Sequence, residues 1–240
     1  TRCESRLDLS GLAMNYAYLH GFAKDGDAPK GRRLSEIFRQ HGVELRTPDL
    51  NRPSFSELTY SGMLEAVDEL DAAANGEPWR LIGASLGGYI AARWAQLNPG
   101  RVDRMVLLSP AFDMHDVWVD MLGDQLLEEW REEGEFLFFG PDDTLEPVHW
   151  ELFAGARDRH PGYPEVDAVP TRVIHGRRDD LVPPAKSETF VEETAEADLH
   201  MVDDAHDLND SVWRVANEAL HFLAARDGAR PVDRRRLAAR

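Results

Sequence analysis

Short apolar runs alternate with helix-period patterns along this chain, and that rhythm limits the folds open to it more than any other feature. Ala13–Leu19, Val43–Arg46, Trp79–Ile82, Arg104–Leu108, Thr171–Gly176 and Leu199–Val202 read as strands. Between them, Leu34, Ile37 and Phe38 outline one helix, stopped by Gly42, and Leu58, Met63, Leu64, Val67 and Leu70 outline another. Leu86–Leu97 ends at Asn98-Pro99-Gly100, and further helices are expected near Pro184–Thr194 and from Asp210 to about Ala225. Strands covered on both faces carry near-continuous apolar runs, and the helices between them cross over to make the pairing parallel. The reading is an α/β fold: a mostly parallel sheet with helices on both faces.

One stretch breaks the rhythm. From about 112 to 170 the chain shows no strong strand but carries Trp118, Trp130, Trp150, Phe136, Phe138, Phe139 and Phe153 among acidic residues. A long interruption inside a compact domain is usually functional. It is expected to be a helical cap over a site, with a small packed subdomain as the alternative. The organisation expected is therefore one domain over 1–225 with this insertion, then a basic tail over 226–240 containing Arg234-Arg235-Arg236.

Bulk properties exclude several classes. The net charge of −17 opposes nucleic acid and anionic membrane surfaces, which require a basic footprint. No apolar run approaches the roughly 20 residues of a membrane-spanning helix. Thr1 to Arg6 lead into no signal-peptide core. The single cysteine, Cys3, allows no intrachain disulfide, which fits the cytoplasm. No His-Glu-x-x-His or comparable ligand spacing occurs among the nine histidines, so neither metal nor cofactor is expected. Oligomeric state is not legible.

The chemistry is carried by Gly83-Ala84-Ser85-Leu86-Gly87, placed between a buried strand and a helix. A turn this sharp strains its central residue and brings backbone close on either side. Glycines at 83 and 87 remove the collisions and leave Ser85 exposed. A serine hydroxyl needs a base and an orienting acid, which follow such an elbow in the order Asp or Glu, then His. His206, in the loop after the strand ending at Val202, is the candidate base. His115, His149 and His160 fall in the insertion, His175 and His200 in strands, and His221 in a helix. Asp179, in the loop after Thr171–Gly176, is the candidate acid, with Asp180 as its competitor. Two backbone amides should meet the developing oxyanion: Leu86, directly after the serine, and Phe22, after the first strand. His20 is read as bracing that loop.

Tyr18-Leu19-His20-Gly21-Phe22, Gly83-Ala84-Ser85-Leu86-Gly87-Gly88-Tyr89 and His175-Gly176-x-x-Asp179-x-x-Val182-Pro183 together resemble the α/β-hydrolase superfamily. Within it the chain is similar to small bacterial YqiA-like esterases, on the first two motifs. It departs from them in Asp203-Asp204-Ala205 ahead of His206 and in its more aromatic insertion. The resemblance implies two-step acyl hydrolysis of a small-molecule carboxylic ester or thioester. An amide or carbon–carbon bond, or a non-catalytic binding role on the same scaffold, are the alternatives.

Overall fold

A computed structural model describes residues 14–225. Its centre is a five-stranded, wholly parallel sheet built from β1 (Asn15–Leu19), β2 (Trp79–Ala84), β3 (Val102–Leu108), β6 (Thr171–Gly176) and β7 (Ala197–Val202). These lie side by side in that order. The helices are α1 (Pro29–Gln40), α2 (Tyr60–Ala72), α3 (Leu86–Leu97), α6 (Pro184–Glu193) and α7 (Val212–Ala224).

The two-residue period of the strands divides the core in two. Ala17, Leu19, Leu81, Met105, Leu107 and Val173 point to one face, where α2, α3 and Phe190 of α6 cover them. Tyr16, Tyr18, Ile82, Ala84, Val106, Leu108 and Ile174 point to the other, under Leu34, Ile37 and Phe38 of α1 and Val215, Ala219 and Leu223 of α7. Alternate residues of one inner strand thus feed separate apolar clusters, which is why β2 and β3 carry apolar runs rather than a strict polar alternation. Two arginines at the base of the sheet are buried beside Asp103. Arg80 Nε donates to its carboxylate at 2.7 Å and Arg104 Nε at 2.9 Å. Both guanidinium groups also reach carbonyls in the last turn of α7, which ties that helix to the sheet.

The strand expected over Val43–Arg46 is only a single bridge. Arg46 pairs with the outer side of β1, its amide donating to Tyr16 O at 2.9 Å and its carbonyl accepting from Tyr18 N at 2.8 Å. Pro48 follows almost at once and has no amide to extend a ladder.

Between β3 and β6 lie α4 (Met114–Glu133, kinked at Gly123), β4 (Glu135–Phe139), β5 (Leu145–His149) and α5 (Glu151–Asp158). The insertion is therefore not purely helical: β4 and β5 form an antiparallel hairpin. Every second residue of β4 faces solvent, leaving Leu137 and Phe139 exposed while Phe136 and Phe138 turn inward. An apolar run with no polar alternation hides that period, and Pro147 hides β5. Inside, Trp130 is fully buried and donates from Nε1 to Val148 O at 2.8 Å. Its ring meets those of Trp118, Phe138 and Trp150 at centroid distances of 5.7, 5.2 and 5.6 Å. The acidic residues Glu128, Glu129, Glu132 and Glu133 lie on the outer side of α4. The insertion shares one continuous apolar cluster with the α2–α3 face of the sheet.

Trp130→Ala removes both that packing and the hydrogen bond to Val148. It is expected to lower unfolding free energy by about 3–5 kcal/mol, read from the midpoint of urea denaturation. An unchanged midpoint would mean that the insertion core takes no part in cooperative unfolding.

Candidate functional site

The turn from β2 to α3 leaves Ser85 at φ 51°, ψ −120°, a conformation that L-residues other than glycine seldom adopt. Backbone contacts hold it there. Ser85 N donates to Leu108 O at 2.8 Å, and Ala111 N donates to Ser85 O at 3.0 Å. A Cβ on Gly83 would strike Gly87 O and Gly88 Cα, and one on Gly87 would strike the carbonyls of Leu19 and His20. Helix α3 therefore starts against the backbone at the end of β1, and only glycine fits the contact. Although Ser85 occupies the N-cap position, its hydroxyl caps no helix amide. It lies instead 2.9 Å from His206 Nε2.

His206 is carried on the loop after β7. Asp204, which is buried, pins that loop by accepting from Ala205 N at 2.8 Å and Ser211 N at 2.7 Å. Leu208 takes a positive φ of 52° in the turn that leads on to α7. His206 Nδ1 lies 2.7 Å from Asp179 Oδ2 on the adjoining loop after β6. The other carboxylate oxygen, Oδ1, accepts from the amides of Leu181 at 3.0 Å and Val182 at 2.8 Å. Burial pushes the Asp179 carboxyl upward, but hydrogen bonds from His175, His206 and the Val182 amide outweigh it. The group is held well below the usual carboxylate range. A deprotonated carboxylate only accepts, so His206 Nδ1 carries the proton and Nε2 is left to accept from Ser85.

Asp180, beside Asp179, is exposed. Of the other histidines, His200 pairs with Glu218 at 2.8 Å, His115 contacts Asp116 at 3.1 Å, and His149 and His221 are exposed. His160 stacks on Tyr60, and burial lowers its imidazolium to about 4. His20 is buried; its Nε2 accepts from Leu50 N at 2.9 Å and its Nδ1 donates to Gly21 O at 2.9 Å. It braces the loop after β1. A Cβ on Gly21 would stand 3.1 Å from Ser85 Cβ, which sets this loop directly against the serine. Phe22 follows, its ring 5.2, 5.5 and 5.4 Å from Phe55, Trp118 and Phe138. Leu86 is the first residue of α3, where the helix leaves amides without internal acceptors.

Ser85, Asp179, His206 and the loop bearing Phe22 thus converge from four separate segments. Lys30, in the first turn of α1, adds a cation near Asp207, Asp204 and Asp179, and burial brings its ammonium down to about 8 against the pull of those carboxylates. Sequence reasoning passed over it, since a lone lysine at a helix start carries no pattern. Among the described residues no group of three or more His, Cys, Asp or Glu is placed to hold a metal ion. An open groove of about 840 Å³ between α1 and the segment 42–47 includes none of the four converging segments' key residues.

A family model described as Uncharacterised protein family (UPF0227) matches residues 15–223. The chain belongs to that family. Solved structures place the family member in the α/β-hydrolase fold. A protein from Agrobacterium vitis S4 named as a hydrolase, with no substrate stated, is 25% identical with a TM-score of 0.74, covering 88% of each chain. Mouse alpha/beta hydrolase domain-containing protein 10 is 17% identical with a TM-score of 0.70, covering 85% of this chain and 87% of that one. Est1E from Butyrivibrio proteoclasticus, solved with ferulic acid bound, is 17% identical with a TM-score of 0.66, covering 88% and 87%. The Caenorhabditis elegans abhydrolase domain-containing protein abhd-5.2 is 30% identical over 118 residues, which span 45% of this chain and 26% of that protein.

The depressed pKa of Asp179 has a consequence for stability. Its contribution is fully present above the unfolded carboxyl value of about 3.9, and it is lost as pH falls through the lower folded value. The stability gap between the natural chain and Asp179→Asn should therefore be widest above about pH 4 and narrow below it. Urea denaturation at stepped pH measures this; a gap that holds constant into acid would contradict it.

Proposed function

We propose that this chain is a serine hydrolase that cleaves a carboxylic ester or thioester through an acyl-enzyme on Ser85. The observation that carries the reading is the line from Ser85 Oγ to His206 Nε2 at 2.9 Å and from His206 Nδ1 to Asp179 Oδ2 at 2.7 Å, set on a strained turn. In this reading Ser85 Oγ attacks the acyl carbon as His206 Nε2 takes its proton. Asp179 stabilises the imidazolium and keeps the ring in the productive tautomer. The amides of Leu86 and Phe22 receive the oxyanion. His206 then returns the proton to the leaving alcohol or thiol. In the second half a water gives a proton to His206, attacks the acyl-enzyme and releases the acid, restoring Ser85.

The hydrolase name of the Agrobacterium vitis protein supports the reaction class. The aromatic side chains grouped around Phe22 favour an apolar acyl or aryl group beside Ser85. Because Trp118 and Phe138 belong to the insertion, the segment from about 112 to 170 acts as the cap that completes this pocket.

Ser85→Ala should lower turnover of short p-nitrophenyl esters by about 10³-fold or more with no loss of fold by circular dichroism. A fluorophosphonate probe should label the natural chain on the peptide containing Ser85. Undiminished turnover in the variant would refute the serine mechanism.

A further inference from the structure

His175 is the most completely enclosed titratable side chain beside the site, and the reaction just described makes no use of it. It is the last-but-one residue of β6, with none of its surface exposed. Its Nε2 lies 2.9 Å from Asp179 Oδ2 and 3.0 Å from Val182 O, while its Nδ1 lies 2.7 Å from Ser187 Oγ on α6. A carbonyl and a deprotonated carboxylate both only accept, so Nε2 must hold the proton. Nδ1 is then the acceptor, and the Ser187 hydroxyl is the group that donates to it.

The oxygen that His175 contacts is the one that receives His206. Asp179 Oδ2 meets two imidazoles, His206 at 2.7 Å and His175 at 2.9 Å, and Oδ1 meets the two amides of Leu181 and Val182. From this geometry we propose that His175 is a positioning residue for the acid. Its Nε2–H, hydrogen-bonded to Val182 O and 2.9 Å from Asp179 Oδ2, draws charge from the carboxylate oxygen that faces His206, and its attachment to Ser187 and Val182 fixes where that oxygen sits. The proposal rests on the serine-hydrolase reading above.

The surrounding charges do not take over this role. Asp204 is occupied by two backbone amides, and Asp203 pairs with Arg178 at 3.0 Å. Asp207, Arg177 and Asp180 are exposed, and Lys186 of α6 pairs with Asp113 at 2.6 Å. Lys30 interacts with Asp207, Asp204 and Asp179 but hydrogen-bonds none of them. Among the described residues only the two histidine rings bring a side-chain nitrogen within ion-pair distance of Asp179.

Removing the His175 proton donor leaves more charge on Oδ2 while the Leu181 and Val182 amides still anchor Oδ1. The carboxylate then stabilises the protonated form of His206 more strongly, so the base is freed only at higher pH. Gln and Asn at 175 separate this role from packing. The Gln amide nitrogen reaches the position of Nε2, whereas the Asn amide stops near Nδ1, and both keep a buried polar group.

The test is the pH profile of kcat/KM for a p-nitrophenyl ester, with urea denaturation of each variant alongside. In His175→Asn the acid limb should move up by about half a pH unit or more, with kcat/KM at neutral pH down about tenfold. His175→Gln should restore the limb to its natural position. An unmoved limb in His175→Asn, or equal shifts in both variants, would overturn the proposal. Should neither variant fold, imidazole ¹⁵N spectra of the unaltered chain decide. His175 should carry its proton on Nε2, and a ring with its proton on Nδ1 alone would refute the assignment. Ser85→Ala run in parallel separates the two readings: full turnover there removes the serine mechanism itself, whereas an inactive Ser85→Ala with an unmoved His175→Asn limb removes only the role of His175.

Discussion

Backbone contact between Gly87 and the end of β1 sets the geometry on which the rest of the site depends. With no side chain at 87, the first turn of α3 rests on the carbonyls of Leu19 and His20. Two results follow from that one approach. Ser85 is forced into its positive-φ conformation at the strand–helix junction, and the loop from His20 to Phe22 is drawn against it. Any Cβ at 87 or 83 would part α3 from the sheet edge and separate the serine from the segment carrying Phe22. The His20 ring then holds the loop from the other side, by joining Gly21 O to the Leu50 amide.

Much of this was legible in the residues themselves. Strands buried on both faces carry apolar runs, so Trp79–Ile82 and Arg104–Leu108 could be read as strands, and Gly42 and Asn98 mark where two helices stop. Ser85, Asp179 and His206 could be singled out because each follows a strand, and chain order supplied the pairing. Asp179 and Asp180 could not be told apart by position alone. The Leu181 and Val182 amides, which fold back onto Asp179, decide which carboxylate turns inward.

What escaped the sequence was set by partners distant along the chain. Val43–Arg46 has strand composition, yet its pairing ends after one residue because Pro48 cannot extend it. The β4–β5 hairpin has no hydrophobic alternation: both its inward residues Phe136 and Phe138 and its outward residues Leu137 and Phe139 are apolar. Its period exists only relative to Trp130, which lies behind it. His175 stood at the head of the acid-loop motif, yet a histidine near a strand end is equally compatible with packing, so the motif assigned it no role.

Sharing of Asp179 between two imidazoles joins the site to the architecture of the sheet. His206 comes from the loop after β7, held by Asp204, whereas His175 belongs to β6 itself and is tied to α6 through Ser187. These two strands are neighbours, and Gly176 pairs with Val202 at the point where both loops leave the sheet. A carboxylate held by the loop histidine alone would have fewer contacts to fix its direction. Two backbone amides and a buried ring from the strand fix three directions around Asp179, and the fourth is left for His206. His206 is thereby met by a carboxylate that has more fixed contacts than its own ring has. This is the arrangement required if His206, which alone of the pair is partly exposed, is to move a proton to and from Ser85 without losing its partner.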